Sequence, residues 1–230
     1  PANGGTKQEG HPASVQINTS NLPSRLRWSA PASFLHEGIP GHHLQLGMQQ
    51  GLDALPRFRR LGGDTAFIEG WGLYAESLGD TLGVYQDPYA KIGYLQAALT
   101  RAARVVADTG LHTQGWDKAK AVRYLEDVAA LPEADASAEV DRMLSQPGQA
   151  LSAVLGEAAI ITLRDRARAM QGDAFDLRSF HAEVIKDGSM PLDVFIGKME
   201  TWMTAPAAAA QNEAAPAGNA PAPASPAASG

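Results

Sequence analysis

A chain of 230 residues, 44% hydrophobic and 19% charged, is long and apolar enough to bury its own core, which sets it apart from disordered and fibrous classes. Its net charge of −6, with lysines and arginines scattered except at Arg57-Phe58-Arg59-Arg60, argues against a nucleic-acid surface. No apolar run approaches the roughly 18 residues of a membrane span, and the lack of cysteine excludes disulfides and thiolate metal sites while leaving cytoplasmic and exported, periplasmic locations both open.

In chain order, residues 1–13, rich in Gly, Pro and small polar side chains, read as a flexible N-terminal segment. Val15 and Ile17 alternate with Gln16 and Asn18, the pattern of a short strand. A helix then opens with Ser29 as N-cap and Pro31 in its first turn; it is expected to run to about Gln50, broken at Pro40-Gly41 and stopped by Gly51. The next begins near Asp64 or Thr65 and carries Phe67, Trp71, Tyr74 and Leu78 on one packing stripe. After Pro88 a long helix runs from Tyr89 to Asp108, and if it passes Gly110 its polar stripe of Tyr94, Arg101, Arg104 and Asp108 extends to His112. Asp117 caps a helix to about Ala129, and Ser137 caps a short one ending before Pro147. The helix after Gln149 is apolar at Leu151, Val154, Leu155, Ala158, Ala159 and Ile161. Two more follow at 176–187 and 191–203, with His181 packed. Residues 205–230 hold 13 alanines and 5 prolines, a low-complexity tail expected to be disordered. The reading is a mainly α domain over 14–204, preceded by a short strand and flanked by flexible ends.

The chemistry gathers in His36-Glu37-Gly38-Ile39-Pro40-Gly41-His42-His43. Two imidazoles about one helical turn apart can hold zinc, and a carboxylate beside them can take a proton from the water that zinc activates. His42 stands at i+6 from His36, on the far side of a regular helix, so the pair works only if two residues are looped out. Pro40 removes a helix hydrogen bond and Gly41 tolerates unusual dihedrals, which supplies the loop. His43, at i+7, shares a face with His36 but lies about 10.5 Å along an unbroken helix; it is the alternative to His42 as second ligand. Downstream, Glu69 and Glu76 lie opposite the packing stripe. Gly70 and Gly72 each cost about 1 kcal/mol inside a helix, a cost that close approach of another helix explains. Glu69 is therefore expected as third ligand, with Glu76, two turns on, supporting a ligand from behind.

The pattern HExxPGHHxQ from His36 to Gln45, followed by EGWxLYxE from Glu69 to Glu76, resembles the bacterial domain of unknown function 885 family, which looks like a gluzincin-type zinc metallopeptidase. Asp108-Thr109-Gly110-Leu111-His112, Gly115-Trp116, Pro147-Gly148-Gln149-Ala150-Leu151-Ser152, Phe175 to His181 and Pro191-Leu192 extend the likeness over about residues 14–203. Members are typically more than twice as long, so the resemblance implies the C-terminal part only: a zincin-like helical half-domain. It further implies Zn2+ held by His36, His42 and Glu69, with Glu37 deprotonating the water that attacks a short peptide. His112 would stabilise the oxyanion, and Asp108 would orient a histidine. The chain departs from the family at Ala153 and Val154, where a Tyr and a Lys are usual. The alternative expectation is accordingly a truncated or degenerate zinc-binding or interaction module without hydrolytic activity. An apolar face left exposed near the mouth of the site would serve self-association or the missing N-terminal half.

Overall fold

The computed structural model describes residues 26–205. The expected segment at 1–13, the strand at Val15 and Ile17, and the tail beyond Ala205 lie outside the described residues. Within them the chain is mainly α, with ten α-helices and no strand: α1 (Ala30–Glu37), α2 (His42–Gln50), α3 (Arg57–Leu61), α4 (Thr65–Ser77), α5 (Pro88–Thr113), α6 (Lys118–Ala129), α7 (Glu133–Ser145), α8 (Gln149–Gln171), α9 (Leu177–Ile185) and α10 (Leu192–Thr204). No helix among the described residues is long and apolar enough to cross a membrane.

Local chemistry sets most boundaries. Asp64, Asp87, Asp117 and Asp176 stand in extended conformation before α4, α5, α6 and α9, and their carboxylates accept from the backbone N–H groups of Phe67, Tyr89, Lys120 and Ser179. Each bond satisfies a donor that the first helical turn would otherwise leave orphaned. Ser29, expected to do the same for α1, does not: a 3-10 turn, Arg27–Ser29, precedes the helix, and the Ser29 hydroxyl donates to the Leu26 carbonyl at 2.7 Å. Ser137 is likewise no cap. It lies inside α7, which begins after extended Pro132 and carries Glu133 and Asp135 at the positive end of its dipole. On α8 the buried residues are Gly156, Ile160, Leu163 and Ala167, and Leu155 is exposed rather than part of an apolar face.

The main core surrounds α4. Phe67, Trp71 and Tyr74 interlock with Ile160 and Leu163 of α8, Phe180 of α9 and Phe195 of α10; each such fully buried side chain stabilises by about 1.5–3 kcal/mol. A second core joins α5, α6 and α7 through Ala103, Ala107, Leu125, Val140 and Met143, and a third, small one seats Leu35 of α1 on Tyr85 and Ala90. α4 and α8 touch backbone to backbone: a methyl on Gly70 would lie 2.5 Å from Gly156, and one on Gly156 would lie 1.8 Å from the Ala66 carbonyl oxygen. This is the close approach expected of Gly70. Ile92, Leu95, Leu99 and Val106 form an exposed apolar stripe along α5. It sits about 120° or more round the helix from Arg101, away from the cleft described next rather than at its mouth.

Candidate metal centre

What the sequence presents as one interrupted helix is two. α1 ends at Glu37, residues 38–41 turn the chain with a cis Ile39–Pro40 peptide, and His42 opens α2. His36 in the last turn of α1 thereby faces His42, with ring centroids 4.6 Å apart and edge to face. Gly41 is required by space, since a methyl there would fall 1.9 Å from the His36 carbonyl oxygen. The turn is pinned to α4 by Trp71, whose indole N–H donates to the Pro40 carbonyl at 2.8 Å.

α4 brings the third donor. Glu69 Oε2 lies 3.6 Å from His36 Nε2 and 3.8 Å from His42 Nε2, and all three donor atoms lie within 4.8 Å of one another. Donors about 2.1 Å from a tetrahedral zinc stand about 3.4 Å apart, so the three fit one ion with slight contraction. Gly72 leaves room for the ring of His36, from which a methyl on it would be 2.6 Å away. The two glycines of the second motif thus serve different neighbours: Gly70 admits α8, and Gly72 admits the imidazole of His36.

Both imidazoles present Nε2 because Nδ1 is engaged. His36 Nδ1 donates to Glu76 Oε1 at 2.8 Å, and Glu76, buried to 2% exposure, accepts from Arg101 through its other oxygen at 2.5 Å. His42 Nδ1 faces the Gln45 side-chain oxygen at 3.3 Å, while the Gln45 amide nitrogen reaches the Phe67 carbonyl at 3.5 Å. Such partners fix tautomer and ring orientation and raise ligand basicity. Burial disfavours charge on His36, but the facing Glu69 carboxylate and the hydrogen-bonded Glu76 carboxylate outweigh it and push the imidazole up to about 9. The facing imidazoles of His36 and then His42 hold Glu69 far below the usual carboxylate range. With Nδ1 donating to Glu76, the second proton of the His36 imidazolium sits on Nε2, facing Glu69.

The centre opens into a cleft of about 290 Å³, lined by His36 and Glu69, by Arg101, Arg104 and Arg142, and by Gln149, Ala153 and Val154 of α8. Arg101 and Arg104 of the expected polar stripe face it, and Ala153 and Val154 lie on its wall. Glu37 is half-buried at the end of α1, and His43 is half-buried outside the three-donor group. Asp108 is buried; its Oδ1 lies 2.8 Å from His112 Nδ1, which also hydrogen-bonds the Asp108 carbonyl at 2.9 Å, and its carboxylate accepts the Gly148 N–H at 3.0 Å just before α8. Neither Glu37 nor His112 is among the residues lining the cleft. His181 is packed, as expected: its Nε2 is 2.8 Å from the Tyr74 hydroxyl, and burial, followed by the charge of Arg164, pushes it down to about 4.

Gln45, Arg142 and Glu139 had no assigned role in the sequence. Gln45 was legible in principle, one turn after His42 on a ligand-bearing helix. Arg142 and Glu139 were not, because Ser137 offers a false cap in the middle of α7 and so conceals which face of that helix meets α5.

The solved structures most informative about this arrangement are two bacterial proteins. A candidate lipoprotein from Colwellia psychrerythraea is 38% identical with a TM-score of 0.78, over 81% of this chain and 32% of its own. A candidate lipoprotein of unknown function from Shewanella oneidensis is 25% identical with a TM-score of 0.69, over 76% of this chain and 32% of its own. This chain therefore spans about a third of the length of either relative. No curated protein matches it. Residues 2–199 match the family described as bacterial protein of unknown function (DUF885), and with the motifs at His36–Gln45 and Glu69–Glu76 inside that range, the chain belongs to this family.

Proposed function

We propose that this chain is the zinc-binding part of a gluzincin-type metallopeptidase acting on short peptides. The observation that carries the reading is the convergence of His36 Nε2, His42 Nε2 and Glu69 Oε2 beside an open cleft, three donors of the types that would hold a zinc ion. Zinc, when bound, supplies Lewis acidity that makes water acidic and polarises a carbonyl. Glu37, next to His36, accepts the proton of the attacking water and delivers it to the leaving amine. Glu76 and Gln45 hold the two rings so that both offer Nε2. His112, whose Nδ1 is taken up by Asp108, offers Nε2 to the developing oxyanion. Names of lipoproteins among the relatives support an exported location. The apolar stripe of α5 is the face proposed to meet a second copy or the rest of a longer chain, and concentration-independent sedimentation as a monomer would count against it.

Elemental analysis of the purified chain should give one zinc per molecule, lost in His36→Ala, His42→Ala and Glu69→Ala and kept in His43→Ala. Hydrolysis of a peptide library by the zinc-loaded chain, abolished in Glu37→Gln, completes the test.

A second reading is favoured by Ala153 and Val154 on the cleft wall, where the family's usual Tyr and Lys would place a hydroxyl and a cation. On that reading zinc binds and turnover is negligible. Ala153→Tyr distinguishes the two: a gain of roughly tenfold or more in kcat, the scale set by an oxyanion donor, would mark the loss as chemical. No change in an already active chain would dismiss it.

A further inference from the structure

Three guanidinium groups border one cleft in a protein whose net charge is −6. Arg101 is neutralised by Glu76 at 2.5 Å. Arg104 and Arg142 share a single carboxylate, Glu139, at 2.7 and 2.6 Å, so these three side chains together carry one positive charge in excess. Each of these contacts is made through an Nη2 nitrogen, one corner of a guanidinium that offers five N–H donors in all. Arg104 Nε is buried with no hydrogen-bond partner at all. Burial, and then the neighbouring charges of Arg142 and Arg101, disfavour the Arg104 cation despite Glu139. An arrangement of like charges with spare donors in a half-enclosed space is relieved by an anion. Gln149 and Ala150, the first residues of α8, line the same space with no acidic residue in that helix's first turn. Asp108 already accepts from Gly148 at that terminus, so the arginines are the stronger attraction.

We propose that the Arg104–Arg142 side of the cleft is a carboxylate subsite, which selects peptides carrying a free carboxylate next to the bond presented to the metal centre. A planar carboxylate takes two parallel N–H bonds from a guanidinium, and the 290 Å³ of the cleft suits a residue or two of peptide rather than a long chain. The carboxylate is either the C-terminus, which would make the module a carboxypeptidase, or an Asp or Glu side chain. The proposal rests on the peptidase reading for its place in a reaction, but its binding step is independent of turnover.

The test therefore measures binding before hydrolysis. Acetyl-trialanine acid, its C-terminal amide, and the amide of acetyl-Ala-Glu-Ala are titrated calorimetrically into the metal-free full chain, where no zinc can hold a carboxylate, and into the zinc-loaded Glu37→Gln variant. The acid should bind at least about tenfold more tightly than the amide in both forms, the scale of one charge-assisted bidentate contact. Arg142→Ala, at an exposed helix position, and Arg104→Gln should each remove most of that preference and leave the amide's affinity unchanged. If the Glu-containing amide binds like the acid, the side chain is the source; if it binds like the plain amide, the C-terminus is. Equal affinity for acid and amide, or a preference that survives both substitutions, overturns the subsite. Discrimination without any hydrolysis by the zinc-loaded chain leaves the subsite standing and removes the peptidase reading instead.

Discussion

Adding a single methyl at the crossing of α4 and α8 should cost this protein far more than a glycine substitution ordinarily does. In Gly156→Ala the new carbon falls 1.8 Å from the Ala66 carbonyl oxygen and 2.9 Å from the Gly70 Cα. Non-bonded carbons settle at about 3.5–4.0 Å, so the helices must part by more than about 1 Å, and because the obstructing atoms are helix backbone, no rotamer change can relieve the clash. Alanine's better helix propensity returns about 1 kcal/mol. Overpacking costs about 1–3 kcal/mol or more, and separation also loosens Phe67 and Trp71 against Ile160 and Leu163, so the net loss should be about 2–3 kcal/mol. For a domain of this size that corresponds to a melting point lower by roughly 5–10 °C. Gly197→Ala is the control: it makes the same chemical change within α10, where a methyl meets nothing within 4 Å, and should stabilise by about 0.5–1 kcal/mol. Thermal and urea unfolding followed by circular dichroism gives both values. A Gly156→Ala protein that melts at or above the parent temperature would refute the close crossing.

Other outcomes follow from the site and its surroundings. Glu76→Gln keeps an acceptor for His36 Nδ1 but removes the charge behind it, and zinc affinity by chelator competition should fall about tenfold or more with the helical spectrum unchanged; unaltered affinity would remove Glu76 from the site. In the metal-free chain His36 is raised from 6.5 to about 9, so its contribution to stability is complete below pH 6.5 and is lost as pH rises through 9. Zinc must displace that proton, and uptake at pH 7 should release about one, read from calorimetry in buffers of different ionisation enthalpy; zero release contradicts the pairing. His181 behaves in the opposite sense: lowered to about 4, it is protonated first in the unfolded chain, so its contribution to stability is full above pH 6.5 and is lost as pH falls through 4. His181→Phe should flatten that window in urea titrations, and an unchanged slope would show that other groups carry the acid sensitivity.

Helix identity was largely legible because aspartates in N-cap positions and apolar spacing agree with one another, as at Asp64 before Phe67, Trp71 and Tyr74. Legibility failed where local signals had tertiary competitors. Ser29 found a carbonyl acceptor in a preceding turn, and Ser137 was overruled by Pro132 and two acidic residues upstream. α3 is only five residues long and carries no periodic signal. For the metal centre, the His36 to His42 spacing, read with Pro40 and Gly41, already demanded an excursion of the chain. The sequence did not disclose that Trp71 pins that excursion, because a hydrogen bond from one side chain to a carbonyl 31 residues away leaves no periodicity. The arginines of α5 were visible as a polar stripe, but Glu139, the partner of Arg104, sits on a helix whose register only packing decides.

The Gly70–Gly156 contact also acts as a fulcrum. α8 bears on α4 at Gly156, while Ala153 and Gln149, on the same helix, form part of the cleft wall about 4.5 and 10.5 Å away along the axis. A tilt of about 10° about that point would swing Gln149 by about 2 Å and Ala153 by less than about 1 Å, yet leave Glu69, beside the pivot on α4, nearly stationary. Cleft width and metal geometry are thereby geared separately. Substitutions that tip α8 can widen or narrow the space for a ligand without disturbing the donors, which gives one scaffold a mechanical route to ligands of different size.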